Sequence, residues 1–169
     1  MAHQPSVLFC DLAALSREIF SCFIQPEYPD YLYLFERRIH VQKMKIIKHL
    51  NTPFPRVYYI FESLLDCAQL RWRVKDHTTF TLCQDELTSI RNELDQIFMQ
   101  MAKQITIETS NLTQKIERLE ENYHHVLKAT AREPLVFLLF IFGLKNMNEE
   151  IKKYGEAICC TSGQNVPLK

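Results

Sequence analysis

His124 and His125 follow Glu120 and Glu121, and Glu121 with His125 has the i,i+4 spacing at which a helix can offer two ligands to one metal ion. A helix turns about 100° per residue, so the adjacent histidines point apart and cannot both ligate the same ion. No HExxH motif occurs. The residues fit a solvated polar face beside Tyr123, and no metal or other cofactor is expected. Nucleophilic chemistry is the second candidate, because Asp76-His77 lies close to Cys83 in sequence. Six residues apart on a helix, His77 and Cys83 point to different sides, and no third group orients them. Cys83 therefore reads as a packing residue, and no catalytic residue is assigned.

Positive charge is the third candidate. Arg37, Arg38, His40, Lys43, Lys45, Lys48 and His49 crowd one segment, and Arg71, Arg73 and Lys75 close another. Arg38, Gln42, Lys45 and His49 fall on one helical stripe that could meet lipid headgroups, RNA phosphates or an acidic partner. An ordinary solvated face is the simpler account. Lys plus Arg equals Asp plus Glu at 20 each, so no net field gathers nucleic acid, and no nucleic-acid partner is expected. Aromatics are the fourth candidate. Tyr28, Tyr31, Tyr33 and Phe35 precede Tyr58, Tyr59 and Phe61, and core packing explains such clusters better than a ligand platform does. No enzyme signature results.

The elements that would position these residues are helices. Leu8, Leu12, Leu15, Ile19 and Phe23 recur at spacings of three and four, which predicts a first helix over Ser6–Ile24. Pro26 and Pro29 end it. A second helix is predicted from about Tyr31, with Asp30 as its cap, to Leu50. The segment Asn51-Thr52-Pro53-Phe54-Pro55 breaks the chain again, and a third helix runs from about Arg56 to Val74. A fourth covers about Phe80–Gln104, with Leu87, Ile90, Leu94 and Met101 near a heptad, and residues 76–79 form a link or a continuation. The β-branched stretch Ile105–Ser110 separates it from a fifth helix. In that helix Leu112, Ile116, Leu119, Tyr123 and Val126 make a coiled-coil-like seam.

The sixth helix starts at Pro134, which suits a first turn, and is expected to end near Ile158. Its opening run, Pro134–Leu144 (PLVFLLFIFGL), is 11 residues long and carries no charged or hydrogen-bonding side chain. A membrane span needs about 20 such residues. A short helix that is apolar all round belongs at the centre of a bundle, wrapped by the other five.

The fold expected is all-α, an antiparallel bundle of about six helices over residues 1–158, with a flexible tail at 159–169. Scarce glycine (three in the chain) agrees, because phosphate-cradling loops and tight hairpins need it. With six helices the two ends of the bundle's chain should emerge together. Cys10, Cys22 and Cys67 sit among apolar neighbours and read as small hydrophobes. No CxxC pair occurs, and the N-terminus MAHQPSVLF lacks the basic region of a signal peptide, which suggests a reducing cytoplasmic setting.

Cys22–Leu50 (CFIQPEYPDYLYLFERRIHVQKMKIIKHL), Leu64–Ile90 (LLDCAQLRWRVKDHTTFTLCQDELTSI) and Arg132–Ile151 (REPLVFLLFIFGLKNMNEEI) resemble a region of the fusaric-acid-resistance, or aromatic acid exporter, family of bacterial inner-membrane proteins. The residues that carry the resemblance are Pro26, Glu36, Arg37, Asp66, Arg71 and Arg73, and it covers about Leu12–Glu156. In that family a helical cytoplasmic region follows one set of membrane helices and precedes another. The resemblance implies an excised cytoplasmic domain at the inner membrane, next to the membrane without crossing it. Its partners would be its own transmembrane domain and other subunits of the same protein, and its role assembly, gating or shaping of an exporter entrance. Arg37, Arg38 and Lys45, with Arg71 and Arg73, are the residues expected at a membrane-side or subunit contact. The rival reading is a free-standing helical adaptor or chaperone that holds a partner helix in a groove.

Overall fold

Six stretches with apolar residues at helical spacing become six helices. In the computed structural model these are α1 (Pro5–Ile24), α2 (Leu32–Ile47), α3 (Val57–Arg73), α4 (Gln84–Ala102), α5 (Ser110–Ala129) and α6 (Leu135–Asn165). The structure describes residues 5–24, 32–48, 54, 56–73, 82–129 and 135–165. Asp30, His49, His77, Pro134 and the 76–79 link lie outside them, as do the side chains of Tyr33, Phe35 and Arg73. No strand occurs among the described residues, and the fold is an all-α helical bundle.

The centre of the bundle is α1. Leu8, Phe9, Leu12, Ala13, Leu15, Ser16, Ile19, Phe20, Cys22 and Phe23 are all buried, which leaves only one side of the helix open. Its longest interface is with α4, and it also packs on α3. Phe20 and Phe23 both reach Phe140 of α6, at ring-centroid distances of 5.5 and 3.9 Å. At the other end Phe9 meets Tyr154 of α6 at 5.2 Å. The two helices therefore run antiparallel, and the start of α1 lies beside the later turns of α6, as the even helix count implied.

The remaining contacts extend this core. α3 packs against α2 and α6, while α5 packs against α4 and α6. Every seam residue of α5 is buried (Leu112, Ile116, Leu119, Tyr123, Val126), and Tyr123 stacks on Phe137 with centroids 4.9 Å apart and planes 3° from parallel. α2 is peripheral. Between residues 36 and 48 it buries only Ile39, Gln42 and Ile46.

Helix ends are closed by specific groups. The Gln84 side-chain amide donates to the carbonyl of Ile24, one of the acceptors left over at the end of α1. At the end of α4 the amide of Ile105 bonds the Gln100 carbonyl at 2.9 Å and that of Gln104 bonds Met101 at 3.1 Å. This pair is a Schellman motif, and it places Gln104 at φ 58°, a left-handed conformation usually left to glycine. Glu108 then accepts the Ser110 amide at 2.6 Å at the start of α5, and this bond holds its carboxyl below the usual range.

Three expectations are corrected. α6 continues to Asn165 rather than ending near Ile158, so its helix takes in part of the stretch read as a tail. Cys10 is exposed, because it falls on the open side of α1. The run at 135–144 is not central. It lies on the outside of the bundle, with one face inward and one face open.

Candidate contact surface

The open face of α6 consists of Leu135, Leu138, Leu139 and Phe142, which are 70, 37, 51 and 63% exposed. Their opposite face (Val136, Phe137, Phe140, Ile141, Leu144) is buried, Phe140 against Phe20 and Phe23 of α1 and Phe137 against Tyr123 of α5, in a helix that also packs on α3. At i, i+3, i+4 and i+7 the exposed residues form one continuous stripe, the pattern by which an amphipathic helix binds a partner. A contiguous exposed apolar patch marks an interaction site more often than scattered apolar residues do. The run read as uniformly buried is therefore two-faced, and its outer residues are functional candidates that sequence reasoning missed. The signal was present. A run with no polar position has no face suited to water, so any placement off the centre exposes apolar surface.

Polar groups border the stripe. One turn further along α6, Lys145 is ion-paired with Glu120 of α5 at 2.6 Å. On the other side Gly143 allows α3 to approach closely, since a Cβ at this position would lie 2.7 Å from Leu64 Cδ2. Beyond that crossing, a groove of about 380 Å³ opens between α3 and α6. It is lined by Arg56, Tyr59, Ile60, Ser63, Gly143, Asn146, Glu149, Glu150 and Lys153. Tyr59 stands 66% exposed at its edge.

Among the described basic residues, Arg71 does not share the exposed face of α2. Arg37 and Lys45 are exposed on α2, and Arg38 is ion-paired with Glu18 of α1. Gln42 does not join an exposed stripe with Arg38 and Lys45, because it packs inward and lines a cleft of about 270 Å³ between α1 and α2. Arg71 cannot belong to any contact face. It is fully buried, and burial lowers its guanidinium to about 10, so it keeps its charge at neutral pH. Its place in the register of Leu64 and Ala68, at steps of four and three, is the sequence signal for that burial.

Of the reactive candidates, His124 and His125 are exposed on α5. Glu121 also stands three residues before His124, an ExxH spacing, yet no group of three or more metal-ligating side chains occurs among the described residues. Cys67 and Cys83 are buried, and burial, with the neighbouring Asp66 and Glu86 as lesser causes, pushes each thiol up to about 12. A thiol so raised is protonated at neutral pH and is a poor nucleophile.

No family model, no curated protein and no solved structure matches the chain. No helix among the described residues is long and apolar enough to cross a membrane.

Proposed function

We propose that this bundle is the cytoplasmic helical domain of an exporter-like bacterial inner-membrane protein of the fusaric-acid-resistance kind, and that its role is assembly. The observation that carries the reading is the Phe9–Tyr154 contact, which sets the beginning of α1 beside the later turns of α6. A domain inserted between two sets of membrane helices needs its entry and exit on one side. The exposed α6 stripe supplies apolar surface for an assembly role, and Arg37 and Lys45 on α2 suit a membrane-side or subunit contact. Transport itself would belong to the membrane helices, and the domain would hold subunits or shape the entrance.

The test is the full reading frame from which the chain derives, followed by membrane fractionation of its product. Hydrophobic segments of about 20 residues on both sides of Leu12–Glu156, with the product in the membrane fraction, support the reading. A frame without such segments overturns it. The adaptor reading draws on the groove between α3 and α6, where exposed Tyr59 stands beside Arg56, Glu149, Glu150 and Lys153. Saturable binding of an amphipathic helical peptide, abolished by Tyr59→Ala, would favour it.

A further inference from the structure

We infer that the exposed stripe of α6 is a homotypic contact. Leu135, Leu138, Leu139 and Phe142 of one copy pack on the same four residues of a second copy, with the two α6 helices antiparallel about a two-fold axis between Leu138 and Leu139. The inference deepens the assembly reading, on which it rests, by assigning the surface through which two subunits meet. The first argument is the spacing. Steps of three, one and three read the same in both directions, so a two-fold axis at the centre brings Leu138 onto Leu139 and Leu135 onto Phe142. A self-complementary patch is what a two-fold homodimer requires, because both subunits contribute the same surface.

The second argument is chemical. The four positions carry no charge or hydrogen-bonding group, so the stripe offers nothing to a polar or charged partner, and an identical stripe matches it throughout. Lys145 lies just beyond the stripe and is already paired with Glu120, which leaves a polar border already satisfied within one copy. The third argument is area. Large side chains open to this degree expose on the order of 100 Å² each, or roughly 400–500 Å² per copy, within the range of a monomer's largest apolar patch, which is often functional. Two copies together would remove about 800–1,000 Å², the size of a weak, transient interface. The contact is therefore sufficient for a reversible dimer, and repeated engagement within a larger assembly would strengthen it.

Sedimentation equilibrium of the chain between about 1 and 200 µM tests the proposal. The expected result is a rise from the 20.0 kDa monomer toward twice that mass. Phe142→Glu and Leu139→Glu should each weaken association at least tenfold with unchanged helical circular dichroism, since both side chains face solvent in the single copy. Mixing Leu135→Cys and Phe142→Cys chains under mild oxidation should give a 135–142 cross-link, identified by peptide mass spectrometry. A wild-type monomer at 200 µM overturns the proposal. So does a dimer indifferent to Phe142→Glu, or a chain that binds phospholipid vesicles through this stripe and never itself. None of these outcomes depends on whether membrane segments flank the chain, so this inference and the exporter reading can fail separately.

Discussion

Phe9 of α1 packs edge-on against Tyr154 of α6, and Tyr154 in turn stacks on Phe54, with centroids 5.2 and 5.5 Å apart. Phe54 lies in the connection before α3, so three separate parts of the chain close one end of the bundle through three rings. Phe9 is fully buried.

Phe9→Ala should therefore destabilise the fold by about 3–5 kcal/mol, the usual range for loss of a buried aromatic ring. Phe9→Leu keeps most of the volume and should cost much less. Urea denaturation followed by circular dichroism measures both. Equal midpoints for the two variants would show that the ring cluster does not hold this end.

Gly143 tests the α3–α6 crossing. Gly143→Ala sets a helix-propensity gain of about 1 kcal/mol against the displacement of Leu64 Cδ2, so its stability should stay near that of the parent. Gly143→Leu has no such space and should lose about 1–3 kcal/mol or more by overpacking. Thermal melts of the two variants check the contrast, and a tolerated leucine would mean that the helices can separate there at little cost.

Gln104→Gly should stabilise the protein. A left-handed residue with a side chain carries a penalty of about 1–2 kcal/mol, which glycine relieves while adding flexibility to the unfolded chain. A net gain of about 0.5–1 kcal/mol corresponds to a rise in Tm of a few degrees for a domain of this size. Differential scanning calorimetry reads it, and an unchanged or lower Tm would contradict the account of the α4 cap.

The buried thiols give a pH dependence. Cys67 and Cys83 bind their protons more tightly folded (about 12) than at the ordinary thiol value of 9.0. Their contribution to stability is complete below pH 9 and is lost as pH rises from 9 toward 12, because the unfolded chain ionises first. Replacing both with alanine should flatten that part of the stability profile. In native protein at pH 7.5, alkylation resolved by peptide mass spectrometry should modify Cys10 well before either buried cysteine.

The sequence carried the helices better than it carried their placement. In α5, apolar and charged positions alternate clearly, so Leu112 through Val126 identify both the helix and its inner face. In α6, the run from Leu135 has no polar position, and the period that would tell inside from outside is absent. Periodicity also detects buried polar residues if register is weighed above residue type. Arg71 follows Leu64 and Ala68, Gln42 falls between Ile39 and Ile46, and Glu93 falls between Ile90 and Ile97, and each is buried. Reading Arg71 and Gln42 by charge and polarity alone sent both to the surface. The position of α1 at the centre could not be read from its own pattern, since it depends on which distant helices cover it.

That central position has a kinetic consequence. The residues of α1 are joined late in sequence to those that cover them, for Phe20 waits on Phe140 and Phe9 on Tyr154. On a ribosome, α1 emerges with its apolar sides uncovered; α3 and α4 can cover part of them, but the rings of Phe9, Phe20 and Phe23 lack their α6 partners until that helix has been made. Large sequence separation between contacting residues slows folding. The nascent chain thus passes through a period in which its first helix is a target for chaperones, and docking of the last helix ends it.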